Sequence, residues 1–184
     1  MIVICISGKA QHGKDTCAAI MQRLLEERGK KVRIIHYADL LKYLCKTYFD
    51  WNGEKDDYGR TLLQRVGTDT VRAKEPDYWV EFIVKFLKLF PDEWDYVIIP
   101  DTRFPNEIFS MKEAFPDTIH VRVSRPNFDN GLTIEQQNHV SETALDNIQP
   151  DGIIVNDGSP RDLLHSINKF IDMIGGESIG NICT

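Results

Sequence analysis

The sequence has no CxxC pair, no excess of positive charge and no long apolar run. Its four cysteines stand at positions 5, 17, 45 and 183. They have neither the density of a disulfide scaffold nor metal-ligand spacing, so reduced thiols in a cytoplasmic setting are expected. Twenty-two Lys+Arg face 28 Asp+Glu, a net charge of −6. An extended nucleic-acid footprint needs the opposite sign, so no nucleic-acid partner is expected, although a local site for a small anion stays open. No stretch approaches the ~18 apolar residues of a membrane span. The apolar start Met1–Ile6 lacks a basic leader and soon meets Gly8 and Lys9, unlike a secretion signal. No internal repeat or low-complexity tract is visible. What remains, 184 residues that are 42% hydrophobic and 27% charged, suits one globular domain with room for one inserted lobe.

Five short runs rich in Val and Ile stand out: Ile2–Ser7, Val32–Tyr37, Tyr96–Pro100, Thr118–Ser124 and Gly152–Asn156. They are not polar at every second position, which suits strands covered on both faces. Between them, amphipathic spacing predicts helices over Lys14–Arg28, Leu40–Phe49 (with Asp39 as N-cap), Thr61–Ala73, Asp77–Phe90, Asn106–Phe115 and Arg161–Ile174. Strand–helix alternation of this kind means βαβ units. About 58 residues separate the second and third strands, far beyond the ~12 that a crossover needs. A helical lobe over residues 38–92 is expected there. Residues 125–142 begin with a Pro-, Asn-, Asp- and Gly-containing stretch and read as a mobile lid, and residues 175–184 as a flexible tail.

The segment Gly8-Lys9-Ala10-Gln11-His12-Gly13-Lys14-Asp15-Thr16 follows the first strand and opens the first helix. It matches G-x-x-x-x-G-K, the phosphate-binding loop. Glycines let backbone N–H groups curl around an anion, the helix N-terminus adds partial positive charge, and Lys14 adds a full one. Asp15 replaces the usual Ser or Thr; a carboxylate there can also hold Mg²⁺, directly or through water.

The third strand runs into Asp101-Thr102-Arg103. Asp101 stands where a second Mg²⁺-holding carboxylate is found in such folds. Arg103 offers a fork suited to phosphate oxygens, or alternatively a structural ion pair. Arg65, Asp69 and Arg72 share one helical stripe. This is either a solvated, self-paired surface or an arrangement in which Asp69 orients Arg72 towards an anionic substrate. Trp79 is either core or a platform for a flat base. Arg125 opens the lid and could swing over a phosphate. His139 and Glu142 follow the lid; His139 could act as a base, hold the loop closed or cap the next helix. Asn156 and Gly158, in a turn after the fifth strand, stand where a nucleotide base often rests.

Together, Gly8–Thr16, Leu63-Gln64-Arg65-Val66-Gly67-Thr68-Asp69 with Arg72 and Trp79, Asp101-Thr102-Arg103-Phe104-Pro105-Asn106-Glu107 and His139-Val140-Ser141-Glu142 resemble the deoxynucleoside monophosphate kinases of tailed bacteriophages. Animal-type phosphomevalonate kinases are similar at greater distance, through the Gly-Lys-Asp loop, an Asp-x-Arg after a strand and a His-x-Ser-Glu. The resemblance implies an α/β P-loop kinase fold, a three-layer α/β/α sandwich with a five-stranded parallel sheet. It also implies ATP and Mg²⁺ as cofactors and a deoxynucleoside monophosphate (dNMP) as acceptor. A phage-encoded chain would then act in the host cytoplasm. The catalytic candidates it implies are Lys14, Asp101, Arg103 and Arg125. The substrate-side candidates are Arg65, Asp69, Arg72, Trp79, Arg103, His139 and Glu142. Residues Gly8 to Thr16 with Asn156 and Gly158 serve the nucleotide, and Asp15 with Asp101 the metal. Homodimerisation is left open. The rival readings are a kinase for another phosphorylated small molecule, a nucleotide-binding module without turnover, and a nucleic-acid-end kinase that the acidic charge disfavours.

Overall fold

The computed structural model describes residues 1–54 and 56–176. Five parallel strands form one sheet: β1 (Ile2–Ser7), β2 (Val32–Ile34), β3 (Tyr96–Ile99), β4 (Ile119–Ser124) and β5 (Gly152–Val155), in the order β2-β3-β1-β4-β5. The chain crosses from one side of β1 to the other between β3 and β4. The C-terminal end of β1 therefore lies at a switch point, where ligands bind in open α/β sheets. Strand β2 is shorter than its apolar run. After Ile35 donates to the Ile98 carbonyl (3.0 Å), the N–H groups of Tyr37 and Ala38 turn to the Asp101 carboxylate instead of the ladder.

Alternation along the strands divides the core. Ile4 and Ile6 of β1, Val121 and Val123 of β4 and Ile154 of β5 pack with α1 (Lys14–Glu27) and α8 (Pro160–Gly176). Val3 and Cys5, with Val97 and Ile99, pack on the other face with α4 (Tyr78–Leu89) and α5 (Pro105–Ala114). This gives the three-layer α/β/α arrangement. A separate apolar cluster joins α2 (Ala38–Tyr48), α3 (Asp57–Gln64) and the start of α4 through Leu41, Cys45, Trp51, Leu62, Val66 and Trp79. Helix α4 thus serves two cores: Trp79 faces this cluster while Val80, Ile83 and Leu87 face the sheet.

The helix expected over Thr61–Ala73 begins earlier and changes winding. Asp56 caps α3 by accepting from the Gly59 N–H at 2.7 Å, and residues Arg65–Arg72 continue as a π-helical segment. Such i→i+5 turns are rare and frequent near functional sites. Asp39 is not the N-cap of α2. It lies in the first turn and accepts from the His36 N–H (3.0 Å), while Asp101 takes the helix's leading N–H groups. The segment expected to be an irregular loop contains one short helix, α6 (Ile134–Gln137), capped by Thr133, and is followed by another, α7 (Val140–Thr143), capped by His139. Helix α8 continues through Gly176, so residues 175 and 176 of the expected tail are helical, and residues 177–184, with Cys183, lie outside the described residues. Among the described residues no helix is long and apolar enough to cross a membrane.

Candidate active site

The loop after β1 depends on two glycines. Gly8 has φ +143°, and a Cβ there would stand 2.3 Å from the Val123 carbonyl oxygen. Gly13, the residue before α1, has φ +92°, and its Cβ would stand 2.6 Å from Asn156 Nδ2. Neither place admits a side chain, so β4 and the turn after β5 can press against the loop. Asn156 Nδ2 donates to the His12 carbonyl at 3.0 Å. This residue braces the phosphate loop from behind. Gly158 packs against Asp162 at the start of α8.

Lys14 folds back over the loop and donates to the Gly8 and Lys9 carbonyls at 2.7 and 2.9 Å. Burial, with the Arg103 charge adding to it, pushes its ammonium down to about 8. Lys9 is turned outward: its Nζ donates to the Glu142 carbonyl and to Asp146 Oδ1, both at 2.6 Å. His12 Nδ1 accepts from the Arg125 N–H at 3.2 Å, and Gln11 Nε2 donates to the Asn130 carbonyl at 2.9 Å. The segment after β4 is thereby tied to the phosphate loop at two points. Arg125 rests its guanidinium 3.8 Å from the centre of the Phe128 ring.

Of the two expected metal carboxylates, Asp15 is 87% exposed at the start of α1, with His36 Nε2 3.5 Å away. Asp101 gives one oxygen each to the Tyr37 and Ala38 N–H groups, at 3.0 Å. Burial raises its carboxyl above the usual range against the pull of those two bonds. Both carboxylates act favourably on the Lys14 ammonium. Among the described residues no group of three or more His, Cys, Asp or Glu side chains could hold a metal. One or two carboxylates near a phosphate cradle are nevertheless the donor set Mg²⁺ uses when waters and phosphates complete its shell. Thr16 is exposed one position further on.

Arg103 and Glu142 meet at the mouth of the loop. The Arg103 guanidinium bonds Glu142 Oε1 and reaches the Ser141 carbonyl at 3.3 Å, while Glu142 Oε2 accepts from the Ala10 N–H at 2.8 Å. A carboxylate therefore occupies one amide of the cradle. The cavity here, about 230 Å³, is lined by Gly8, Lys9, His12, Arg103 and Glu142 together with Ser7, Thr102 and Arg122. Arg122 itself is structural, donating to the Leu145 and Ile148 carbonyls at 2.5 and 2.6 Å.

The lobe side departs from expectation in two ways. Arg72 is not oriented by Asp69. Its Nη2 donates to Glu107 Oε1 at 2.6 Å, and the guanidinium lies 3.9 Å from the centre of the Phe104 ring. The π-helical winding is the reason: about one extra residue per turn rotates a stripe laid out at α-helical spacing. Arg65 and Asp69 remain on the exposed side of the segment. Trp79 is no platform for a base. It is 4% exposed, and its Nε1 donates to the Gly67 carbonyl at 3.0 Å. His139 takes its third reading: its Nδ1 accepts from the Ser141 N–H (3.2 Å) as the cap of α7, and its Nε2 lies 3.2 Å from Gln64 Nε2 in the lobe. Glu107 was overlooked as a site residue. Its position three residues after the turn into α5, where a Glu reaches back to cap, was the available signal.

A glycine loop between the central strand and its helix, in a parallel five-stranded sheet, defines a P-loop kinase fold. The solved structures of similar shape agree. The Mycobacterium tuberculosis APS kinase CysC in complex with AMPPNP and APS superposes with a TM-score of 0.55 at 13% identity, covering 94% of this chain and 96% of that one. Shikimate kinase from Bacteroides thetaiotaomicron gives 0.55 at 14%, covering 95% and 98%. Residues 32–167 match the deoxynucleotide monophosphate kinase family, and the chain belongs to it. The deoxynucleotide monophosphate kinase of Enterobacteria phage T4 is 32% identical over 117 residues, 62% of this chain and 46% of that protein. Its counterpart in Escherichia phage RB69 is 30% identical over 114 residues, 61% and 44%. The match thus spans about half the length of these curated relatives.

Proposed function

We propose that this chain transfers the γ-phosphoryl group of ATP to a deoxynucleoside monophosphate, giving ADP and the diphosphate. The observation that supports it is a linked set of cations: the Arg103 charge acts on Lys14 of the phosphate loop, and Glu107 ties Arg72 of the helical segment to the Arg103 backbone. The acceptor phosphate has a second pKa near 6, so its oxygen is already ionised at pH 7 and needs no general base. The work is to bring two polyanions into line, which calls for cations and dry, fixed geometry.

In this reading the amides from Ala10 to Thr16 and Lys14 hold the donor phosphates. Arg72 and Arg103 take the acceptor phosphate, with Arg65 at the lobe's outer side. Arg125 leaves Phe128 to cover the transferred group. Glu142 gives up the Ala10 amide when phosphate arrives. Asp15 and Asp101 are the residues that would hold Mg²⁺, which would supply charge neutralisation. Asn156 acts on the nucleotide through the loop it braces. The family and the acidic net charge favour a mononucleotide over a nucleic-acid end.

Lys14→Ala is expected to abolish ADP formation with the fold intact by circular dichroism; near-normal turnover would overturn the proposal. Arg72→Ala should raise the KM for the monophosphate about tenfold or more. If it changed only ATP affinity, Arg72 would belong to the donor side.

A further inference from the structure

Glu107 is 2% exposed, yet it is an acid. A buried carboxylate is retained only where its charge is matched and its lone pairs are filled. Three bonds do this. Oε1 accepts from Arg72 Nη2 at 2.6 Å; Oε2 accepts from the N–H groups of Arg103 at 2.7 Å and of Phe104 at 3.1 Å. One oxygen therefore faces the helical lobe and the other faces the loop after β3. The residue's own carbonyl accepts from the Tyr37 hydroxyl at 3.2 Å, and the N–H of Tyr37 rests on Asp101. On the far side the Arg103 guanidinium bonds Glu142, which holds the Ala10 amide of the phosphate loop. The result is a run of bonds from the lobe to the phosphate loop in which Glu107 pairs with the Arg72 guanidinium and holds Arg103 by its backbone N–H, while the Arg103 guanidinium pairs with Glu142.

Two details show that Arg72 is presented rather than merely neutralised. Its guanidinium plane is fixed on the Phe104 ring, at 3.9 Å. Glu107 and the Pro76 carbonyl, at 3.4 Å from Nη1, engage only part of its five N–H donors. The rest are free of that clasp, and the side chain keeps 15% of its surface exposed.

We propose that Glu107 is the positioning residue of the acceptor site: its carboxylate clasps Arg72 of the lobe and the backbone of Arg103 together, so that two guanidiniums meet the acceptor phosphate at a set separation. The role expected of Asp69 belongs to Glu107. The assignment of the ligand rests on the function proposed above; the clasp itself does not.

The test compares wild type, Glu107→Gln, Arg72→Ala and the double variant, with ATP and each of the four deoxynucleoside monophosphates varied in turn. Glutamine has one acceptor oxygen and turns an NH₂ towards a partner, so it cannot serve both sides. The expected result is a KM for the monophosphate raised tenfold or more, a KM for ATP within twofold of wild type, and a double variant no worse than Arg72→Ala alone. Parallel loss for both substrates, or effects that multiply in the double variant, would overturn the proposal and leave Glu107 a structural acid. If Glu107→Gln does not fold, Glu107→Asp, which shortens the reach, is read against the same outcomes. A second readout needs no turnover: solvent exchange of the Arg72 guanidinium protons by ¹⁵N NMR, assigned by their loss in Arg72→Lys. Exchange at least tenfold faster in the Glu107 variant supports the clasp, and unchanged exchange contradicts it. Should wild type phosphorylate none of the four monophosphates, the functional reading fails, and this second readout still decides on Glu107.

Discussion

Gly8 and Lys14 show how single residues set the chemistry. A methyl group on Gly8 has no direction in which to yield, because its neighbour is the β4 backbone and its φ is +143°. Gly8→Ala is expected to cost ~2 kcal/mol or more in stability and to weaken ATP binding over tenfold, measured by urea unfolding and by titration. Lys14 is held down to about 8 by burial. A lowered value means that the ammonium is charged below about pH 8 and neutral above it. ATP affinity should therefore fall as pH rises through about 8, a limb that a pH series of ATP titrations would show and that Lys14→Ala should lack. The loop's glycines and lysine were legible in the sequence because backbone freedom and charge belong to residue types. The partners of Arg72 were not legible, since they depend on the winding between the residues.

That winding belongs to the scale of elements. The βαβ alternation was plain, because strands covered on both faces carry unbroken Val and Ile runs such as Ile2–Ser7 and Tyr96–Ile99. The π-helical segment was hidden: Arg65–Arg72 has the residues of an amphipathic α-helix, and only its packing against α2 at Gly67, where a Cβ would stand 2.5 Å from Leu41 Cδ2, and against Trp79 reveals the change. Asp39 looked like a cap by type and position, yet the leading N–H groups of α2 are taken by Asp101 in the turn after β3, and local sequence holds no trace of a partner 64 residues away. Trp79→Phe removes the bond to the Gly67 carbonyl while leaving an aromatic ring in the lobe core. It should lower stability by about 1–2 kcal/mol and leave the KM for the monophosphate within twofold. A large KM change with unchanged stability would return Trp79 to the substrate.

Across the whole molecule, the acidic net charge of −6 coexists with three cations, Lys14, Arg72 and Arg103, each matched by a carbonyl or a carboxylate. The buried groups also set how the fold answers to pH. His120, 1% exposed and 2.7 Å from Ser7 Oγ, is pushed down to about 4 by burial and by the Arg122 charge. Below its unfolded value of 6.5 the unfolded chain takes up a proton that the folded chain refuses. Its share of stability is thus present above pH 6.5 and is lost as pH falls to about 4, by on the order of 3 kcal/mol. Glu107, raised from 4.5 to about 6 by burial, acts in the opposite sense between those values. The difference between wild type and His120→Gln in urea unfolding from pH 7 to 4 isolates the histidine and should shrink steadily with acid. The identity of the acceptor is tested most directly by ADP release from the purified chain with Mg²⁺ and ATP, alone and with each deoxynucleoside monophosphate. The expected result is release that depends on at least one of the four monophosphates and stoichiometric diphosphate formation. ATP binding without any acceptor-dependent release, or release driven only by a phosphorylated sugar or isoprenoid, would contradict it.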